Sequence, residues 1–288
     1  MQRRNFMKAT ALVGGILLAP AKAQTRAKPD LFVRDWGSGN PVMFVSGWAL
    51  GSDFWNYQML PMSDQGLRCV AFDRRGHGRS SDPGGGYDFD TLAADLHHVI
   101  ESRNLRGVTL VGHSMGCGEI IRYLSKFGNT GRVTKIALVA PTTPCLLKSD
   151  SNPTGINRAL IEAVRAAMTK DFPKWVQDNT APFVVRETSP EMIRWVHCLM
   201  NQTSFQALLE CNRANIEADF RSELKSIRVP AIVIHGDRDA SAPLDLCGRR
   251  TAALIPGSKL MVYEGAPHGI VVTHHERLTR DLLAFVKG

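Results

Sequence analysis

The sequence predicts an α/β fold, a mostly parallel sheet of about seven strands covered by helices, with a helical cap inserted late in the chain. Two observations carry this. Short apolar runs alternate with helix-patterned stretches, and one long helical interval interrupts that alternation.

The apolar runs fall at residues 31–34, 42–45, 69–72, 108–111, 135–139, 231–234 and 259–263. Their regular alternation with helical stretches is the signature of a sheet covered on both faces. After the third run, Leu92, Leu96, Val99 and Ile100 recur at helical spacing, and Asp90 is placed to cap that helix. From about residue 142 the strands stop. Phe172, Trp175, Phe183, Met192, Trp195, Leu199, Met200 and Phe205 follow a helical pattern that Pro153, Pro173, Pro182 and Pro190 break into short pieces. Residues 142–222 are therefore expected to form a helical cap over the carboxyl edge of the sheet, with 24–141 and 223–288 as the core. An aromatic in such a cap is more often core than ligand contact. Phe172, Trp175, Phe183 and Trp195 are nonetheless the cap's candidates for a substrate pocket.

The front of the chain reads as a leader. Arg3-Arg4-Asn5-Phe6-Met7-Lys8 precedes a short apolar run that ends at Ala21-Lys22-Ala23. A basic start, an apolar core and an A-x-A site predict a signal peptide over 1–23, cleaved after Ala23, and a periplasmic or secreted protein. The paired arginines resemble a twin-arginine export signal. Removing Arg3, Arg4, Lys8 and Lys22 lowers the formal charge from +8 to +4. With no basic run left, nucleic acid is not an expected partner. No membrane anchor is expected after processing.

Cys69, Cys117, Cys145, Cys198, Cys211 and Cys247 form no C-x-x-C pair and no zinc-like spacing with histidine. An oxidising compartment permits a Cys198–Cys211 bridge. The twin-arginine route resembles one that carries folded proteins, so a bridge is not the expectation.

The chemistry is concentrated in three short segments. Gly112-His113-Ser114-Met115-Gly116 fits G-x-S-x-G between a buried strand and the helical pattern Met115–Phe127. This is the sharp strand-to-helix turn that exposes a nucleophilic serine. A serine hydroxyl needs a base. His268, between Pro267 and Gly269 just past a strand end, is the loop histidine suited to that work. By contrast, His274 and His275 are expected on a solvated terminal helix, and His77, His97 and His98 lack an acid at a comparable strand end. Asp237 and Asp239 both follow the strand at 231–234, so either one can be the acid. Two backbone N–H groups must face the developing oxyanion. Met115, directly after the nucleophile, and Trp48, in Ser46-Gly47-Trp48-Ala49 after the second strand, are the candidates, with the Trp48 indole also walling the pocket.

Gly47-Trp48, the segment Phe72-Asp73-Arg74-Arg75-Gly76-His77-Gly78-Arg79-Ser80, the GHSMG turn, HGDRD and GAPHG together resemble the cofactor-free (non-haem) haloperoxidase and aryl-esterase branch of the α/β-hydrolase family. The resemblance covers residues 31 to 288 and is weakest in the cap. It implies a triad of Ser114, Asp239 and His268, oxyanion amides from Trp48 and Met115, and no metal or organic cofactor. It also implies that the Asp and Arg of the 73–80 turn hold loops near the site. Three departures stand out. Ser46 replaces the usual His, Ala49 replaces the Pro that often follows the oxyanion Trp, and the family's first strand has no room after a cleaved leader.

The expected activity is hydrolysis of a carboxylic ester or lactone through an acyl-enzyme. The apolar cap favours a neutral, medium-sized acyl or aromatic substrate, while Arg186, Arg194 and Arg213 leave an acidic one open. The rivals are a perhydrolase or haloperoxidase on the same triad, and a small-molecule receptor on a hydrolase fold. Ser114 argues against a dehalogenase or epoxide hydrolase, which would carry Asp at the turn.

Overall fold

The structure, a computed structural model, describes residues 29–288. The predicted leader, 1–23, lies outside the described residues.

A strand overlaps each of the seven apolar runs, the first displaced from 31–34 to 33–36: β1 (Val33–Trp36), β2 (Pro41–Val45), β3 (Arg68–Phe72), β4 (Val108–His113), β5 (Val133–Val139), β6 (Ala231–Gly236) and β7 (Lys259–Tyr263). They form one sheet in the order β1-β3-β2-β4-β5-β6-β7. Every pairing is parallel except β1 with β3, where Val33 faces Phe72 across an antiparallel edge. In β4 and β6 every residue is buried, because helices cover both faces and leave no solvated side for polar residues.

One face is sealed by α2 (Phe89–Ser102) and α3 (Met115–Phe127), through Leu92, Leu96, Ile120 and Tyr123. The other is sealed by α1 (Asn56–Asp64) and a C-terminal α10 (His275–Lys287), through Met59, Met62, Leu278 and Leu282. The cap of α2 is Asp88, not Asp90: the Asp88 carboxylate accepts from Thr91 N–H at 2.9 Å. Asp88 has the extended backbone that a capping residue requires. Asp90 instead lies in the first turn and pairs with Arg122 and Lys126 of α3.

Between β5 and β6 the chain forms α4 (Arg158–Lys170), α5 (Phe172–Asp178), α6 (Pro190–Met200), α7 (Phe205–Glu217) and α8 (Arg221–Ser226). Pro173 and Pro190 open α5 and α6 rather than break them, since the first turn has no use for the missing N–H. The expected boundary at 222 cuts α8, which packs on α3 and on α9 (Gly248–Leu254) and so belongs to the core. The two ends of the insert are pinned together earlier, by the Cys145–Asp219 bridge and by Phe220 N–H donating to Pro144 O at 2.8 Å.

Cys198 is exposed and Cys211 buried, both as free thiols, so the conceivable bridge between them is not formed. His274 and His275 are half-buried rather than solvated, with ring contacts to Tyr263 and Tyr57. No helix among the described residues is long and apolar enough to cross a membrane.

Candidate active site

β4 ends on His113, and the chain turns through Ser114 into α3. Ser114 holds φ 54° and ψ −120°, a left-handed backbone that a non-glycine residue adopts only when its surroundings enforce it. Its N–H is fixed to Val139 O at 2.9 Å, which lifts the side chain to the carboxyl edge of the sheet. There His268, in the loop after β7, places Nε2 2.9 Å from Ser114 Oγ. Its Nδ1 lies 2.7 Å from Asp239 Oδ2, in the loop after β6. A carboxylate only accepts, so Nδ1 donates and Nε2 is left to receive the serine hydrogen.

The two candidate acids separate cleanly. Asp239 is buried, and its Oδ1 accepts from the amides of Ser241 at 3.0 Å and Ala242 at 2.7 Å. Burial alone would raise its carboxyl, but His268, His235 and hydrogen bonding hold it well below the usual carboxylate range. Asp237 is exposed and accepts from Gly265 N–H at 2.7 Å, tying the β6 and β7 loops together. Those loops touch at Gly236, where an added Cβ would stand 2.0 Å from Ala266 O.

Beside the serine runs the loop after β2. A Cβ on Gly47 would lie 2.7 Å from His113 Nδ1 and 3.2 Å from Ser114 Cβ, so glycine lets this loop come so close. Trp48 follows directly. Met115 opens α3, where a backbone N–H has no intrahelical acceptor. The loop is locked by Arg74, whose buried guanidinium donates to Ser46 O at 2.7 Å, Gly47 O at 3.2 Å and Glu119 of α3 at 2.7 Å. Asp73 fastens its far end, accepting from Ser52 N–H at 2.7 Å and from Arg79 Nε at 2.9 Å. The 73–80 turn thus supports the loops around the site.

Above Ser114 and His268 lies a cavity of about 370 Å³, within the range of small-ligand sites. Of the five pocket candidates, Trp48, Trp175 and Phe183 line it; Phe172 and Trp195 do not. Phe172 stacks behind Trp175 at 6.1 Å, and Trp195 turns outward onto Tyr57. No Lys, Arg, Asp or Glu is among the lining residues, and Arg186, Arg194 and Arg213 all lie off it. Among the described residues no cluster of three or more His, Cys, Asp or Glu has the arrangement of a metal site.

A family model for the alpha/beta hydrolase fold matches residues 40–194. The chain belongs to that family. Across 91% of its length it is 38% identical to the non-heme chloroperoxidase CPO-A1 of Kitasatospora aureofaciens, 98% of which is covered. It is 35% identical to the bifunctional esterase/perhydrolase DCH of Acinetobacter calcoaceticus, over 92% of this chain and 98% of that one. In three dimensions it resembles the bromoperoxidase from Bacillus anthracis, with a TM-score of 0.88 at 34% identity, covering 91% of this chain and 97% of that one. These similarities put this α/β-hydrolase in the haloperoxidase and esterase branch.

The branch's departures have structural answers here. Ser46 Oγ donates to Gly51 O at 2.8 Å, so the loop keeps a side-chain tie without histidine. Ala49 closes a tight turn, with Leu50 N–H donating to Gly47 O at 3.3 Å, and has φ 59°. Proline, with φ fixed near −65°, cannot occupy that conformation.

Some of the contacts that support the site in this α/β-hydrolase are not singled out by its sequence. His113 is fully buried and donates from Nε2 to His268 O at 3.0 Å, bracing the His268 loop. Phe183 accepts from Gly269 N–H at 2.9 Å, so the cap holds that same loop from above. His235 stands against Asp239. The one signal available was position: His113 and His235 both sit at strand ends beside motif glycines.

Proposed function

We propose that this α/β-hydrolase cleaves small uncharged carboxylic esters or lactones through an acyl-enzyme on Ser114. The observation that carries the reading is the unbroken Ser114–His268–Asp239 hydrogen-bond chain opening into a cavity without charged lining. Ser114 Oγ attacks the carbonyl carbon as His268 Nε2 takes its proton, and Asp239 stabilises the imidazolium. The backbone N–H groups of Trp48 and Met115 hold the oxyanion. His268 returns the proton to the leaving alcohol, then activates water to release the acid. An apolar cavity suits a neutral acyl or aromatic group, since a carboxylate left inside would be desolvated without a partner.

Peroxide in place of water would make the same acyl-enzyme a perhydrolase. The esterase/perhydrolase name of one relative supports that second reading, and the left-handed Ala49 weighs against it as the main activity. A receptor built on this fold would show a single-turnover burst.

The test is a screen of p-nitrophenyl esters, lactones and amides with Ser114→Ala as the blank. Sustained ester or lactone turnover that Ser114→Ala abolishes is expected; amide turnover alone, or a burst without turnover, would refute the reading. Export through the arginine-paired leader is proposed with it: changing Arg3 and Arg4 to Lys should leave precursor in the cytoplasm on fractionation, and normal export would refute it.

A further inference from the structure

We infer that His235 is a second histidine on the site's acid, a positioning residue that keeps the Asp239 carboxylate aimed at His268. The inference rests on the ester-hydrolase reading above.

His235 is the penultimate residue of β6, four residues before Asp239, and is fully buried. Its Nε2 stands 2.7 Å from Ala242 O. A carbonyl only accepts, so the hydrogen is on Nε2. The same Nε2 faces Asp239 Oδ2 at 3.2 Å. Ala242, in turn, gives its N–H to Asp239 Oδ1 at 2.7 Å. His235, Ala242 and Asp239 therefore close a small ring of polar contacts around the carboxylate. One oxygen meets two backbone amides, and the other meets two imidazoles. The imidazole is wedged in place by α9, where a Cβ on Gly248 would lie 2.5 Å from Nδ1.

A histidine kept only for packing needs one acceptor anywhere. This one selects the carbonyl of the residue whose amide binds the acid, and puts its hydrogen beside the acid's working oxygen. A carboxylate held on both oxygens cannot rotate about its Cβ–Cγ bond, so Oδ2 stays on the line to His268 Nδ1. The titratable groups facing this ring are His268 from the β7 loop, His113 from the end of β4 and Cys247 ahead of α9, with Arg250 of α9 behind the cysteine.

The experiment compares His235→Leu and His235→Gln in the full chain, with p-nitrophenyl butyrate as the probe. In His235→Leu, kcat should fall at least about tenfold with KM within about twofold, as for a group that acts on the reacting histidine rather than on substrate. The acidic limb of kcat/KM should move to higher pH, because a carboxylate with one donor fewer is a stronger partner for protonated His268. His235→Gln, whose amide nitrogen reaches where Nε2 stood, should recover most of the loss. Adding His235→Leu to Asp239→Asn should cost little more. A folded His235→Leu protein with wild-type kcat and an unmoved limb would overturn the inference, as would full additivity in the double variant. Should His235→Leu fail to fold, the wild-type protein decides: the His235 Nε2–H resonance should shift when Ser114 is phosphonylated, and a resonance that stays put would overturn it. Full activity in Ser114→Ala and Asp239→Asn would instead sink the ester-hydrolase reading itself; a silent His235→Leu beside dead controls sinks only this inference.

Discussion

Arg74 and Glu119 meet in the interior 2.7 Å apart, and the same guanidinium holds the carbonyls of Ser46 and Gly47. Glu119 rides on α3, whose first residue is Met115, and the carbonyls belong to the loop that carries Trp48. One buried ion pair thus sets the distance between the two amides assigned to the oxyanion. Burial pushes the Glu119 carboxyl up, and the Arg74 guanidinium opposes that rise. Lysine cannot serve Glu119 and both carbonyls at once. Arg74→Lys should lower kcat at least about tenfold with a smaller change in KM, and lower Tm, since a buried ion pair broken on one side costs several kcal/mol. Steady-state kinetics with a melting curve checks this; wild-type kcat would show that the pair has no bearing on the oxyanion.

Asp237 and Asp239 should part on substitution. Asp239→Asn cannot accept from His268 Nδ1 in the same way, and kcat should fall by several orders of magnitude with modest loss of stability. Asp237→Asn loosens the tie to Gly265 and should mainly lower Tm. Activity that survives at 239 and vanishes at 237 would contradict the assignment.

That pair also shows what the sequence can and cannot carry. Two aspartates after one strand look alike in a string; they differ only once the loop after β6 folds back and presents one of them to His268. The Ser114 turn is legible because its strand, its glycines and its helix are all local. β1 is displaced from the expected run because its edge strand, Val-Arg-Asp-Trp, is half-buried and carries charge, so its apolar neighbours at 31 and 32 misled the register. The cap's aromatics read as one helical pattern, yet Phe183 lies in the turn between α5 and α6 and faces the cavity, while Trp195 lies on α6 and faces Tyr57. The break after α5 and the packing of the cap make that choice. His235 is hidden in the same way, inside an apolar strand whose end meets the acid loop.

Ala49 gives a test of the acceptor step. Its φ of 59° lies in a turn whose side chain is fully buried against Phe172, Val176 and Leu208 of the cap. Ala49→Pro must rebuild that turn. It should lower Tm and change the ratio of peracid formation to hydrolysis, whereas hydrolysis should exceed peracid formation in the unaltered protein. Matched assays with and without peroxide on one acyl donor measure both. Peracid formation dominating before substitution would promote the perhydrolase reading.

Acid should weaken the fold in a predictable window. Burial pushes His77 and His113 down to about 3, while an unfolded chain protonates both near their ordinary value of 6.5. Below that value the unfolded state binds more protons, so the stability these groups contribute is full above it and is lost as pH falls toward the folded value. Asp73, whose carboxyl burial would raise but Arg79 and the Ser52 amide hold below the usual range, adds a loss at lower pH still. Tm should therefore begin to fall below about pH 6.5 and fall further by about pH 4. A Tm flat across that window would contradict the buried, neutral placement of these histidines.

The central claim is a covalent acyl group on Ser114. The most direct measurement is the mass of the protein quenched in acid during turnover of p-nitrophenyl acetate, followed by peptide mapping. One added acetyl group is expected, located on the peptide that contains Ser114 and absent from Ser114→Ala protein. Turnover with no acyl group on that peptide, or an equal yield of adduct in Ser114→Ala, would contradict it.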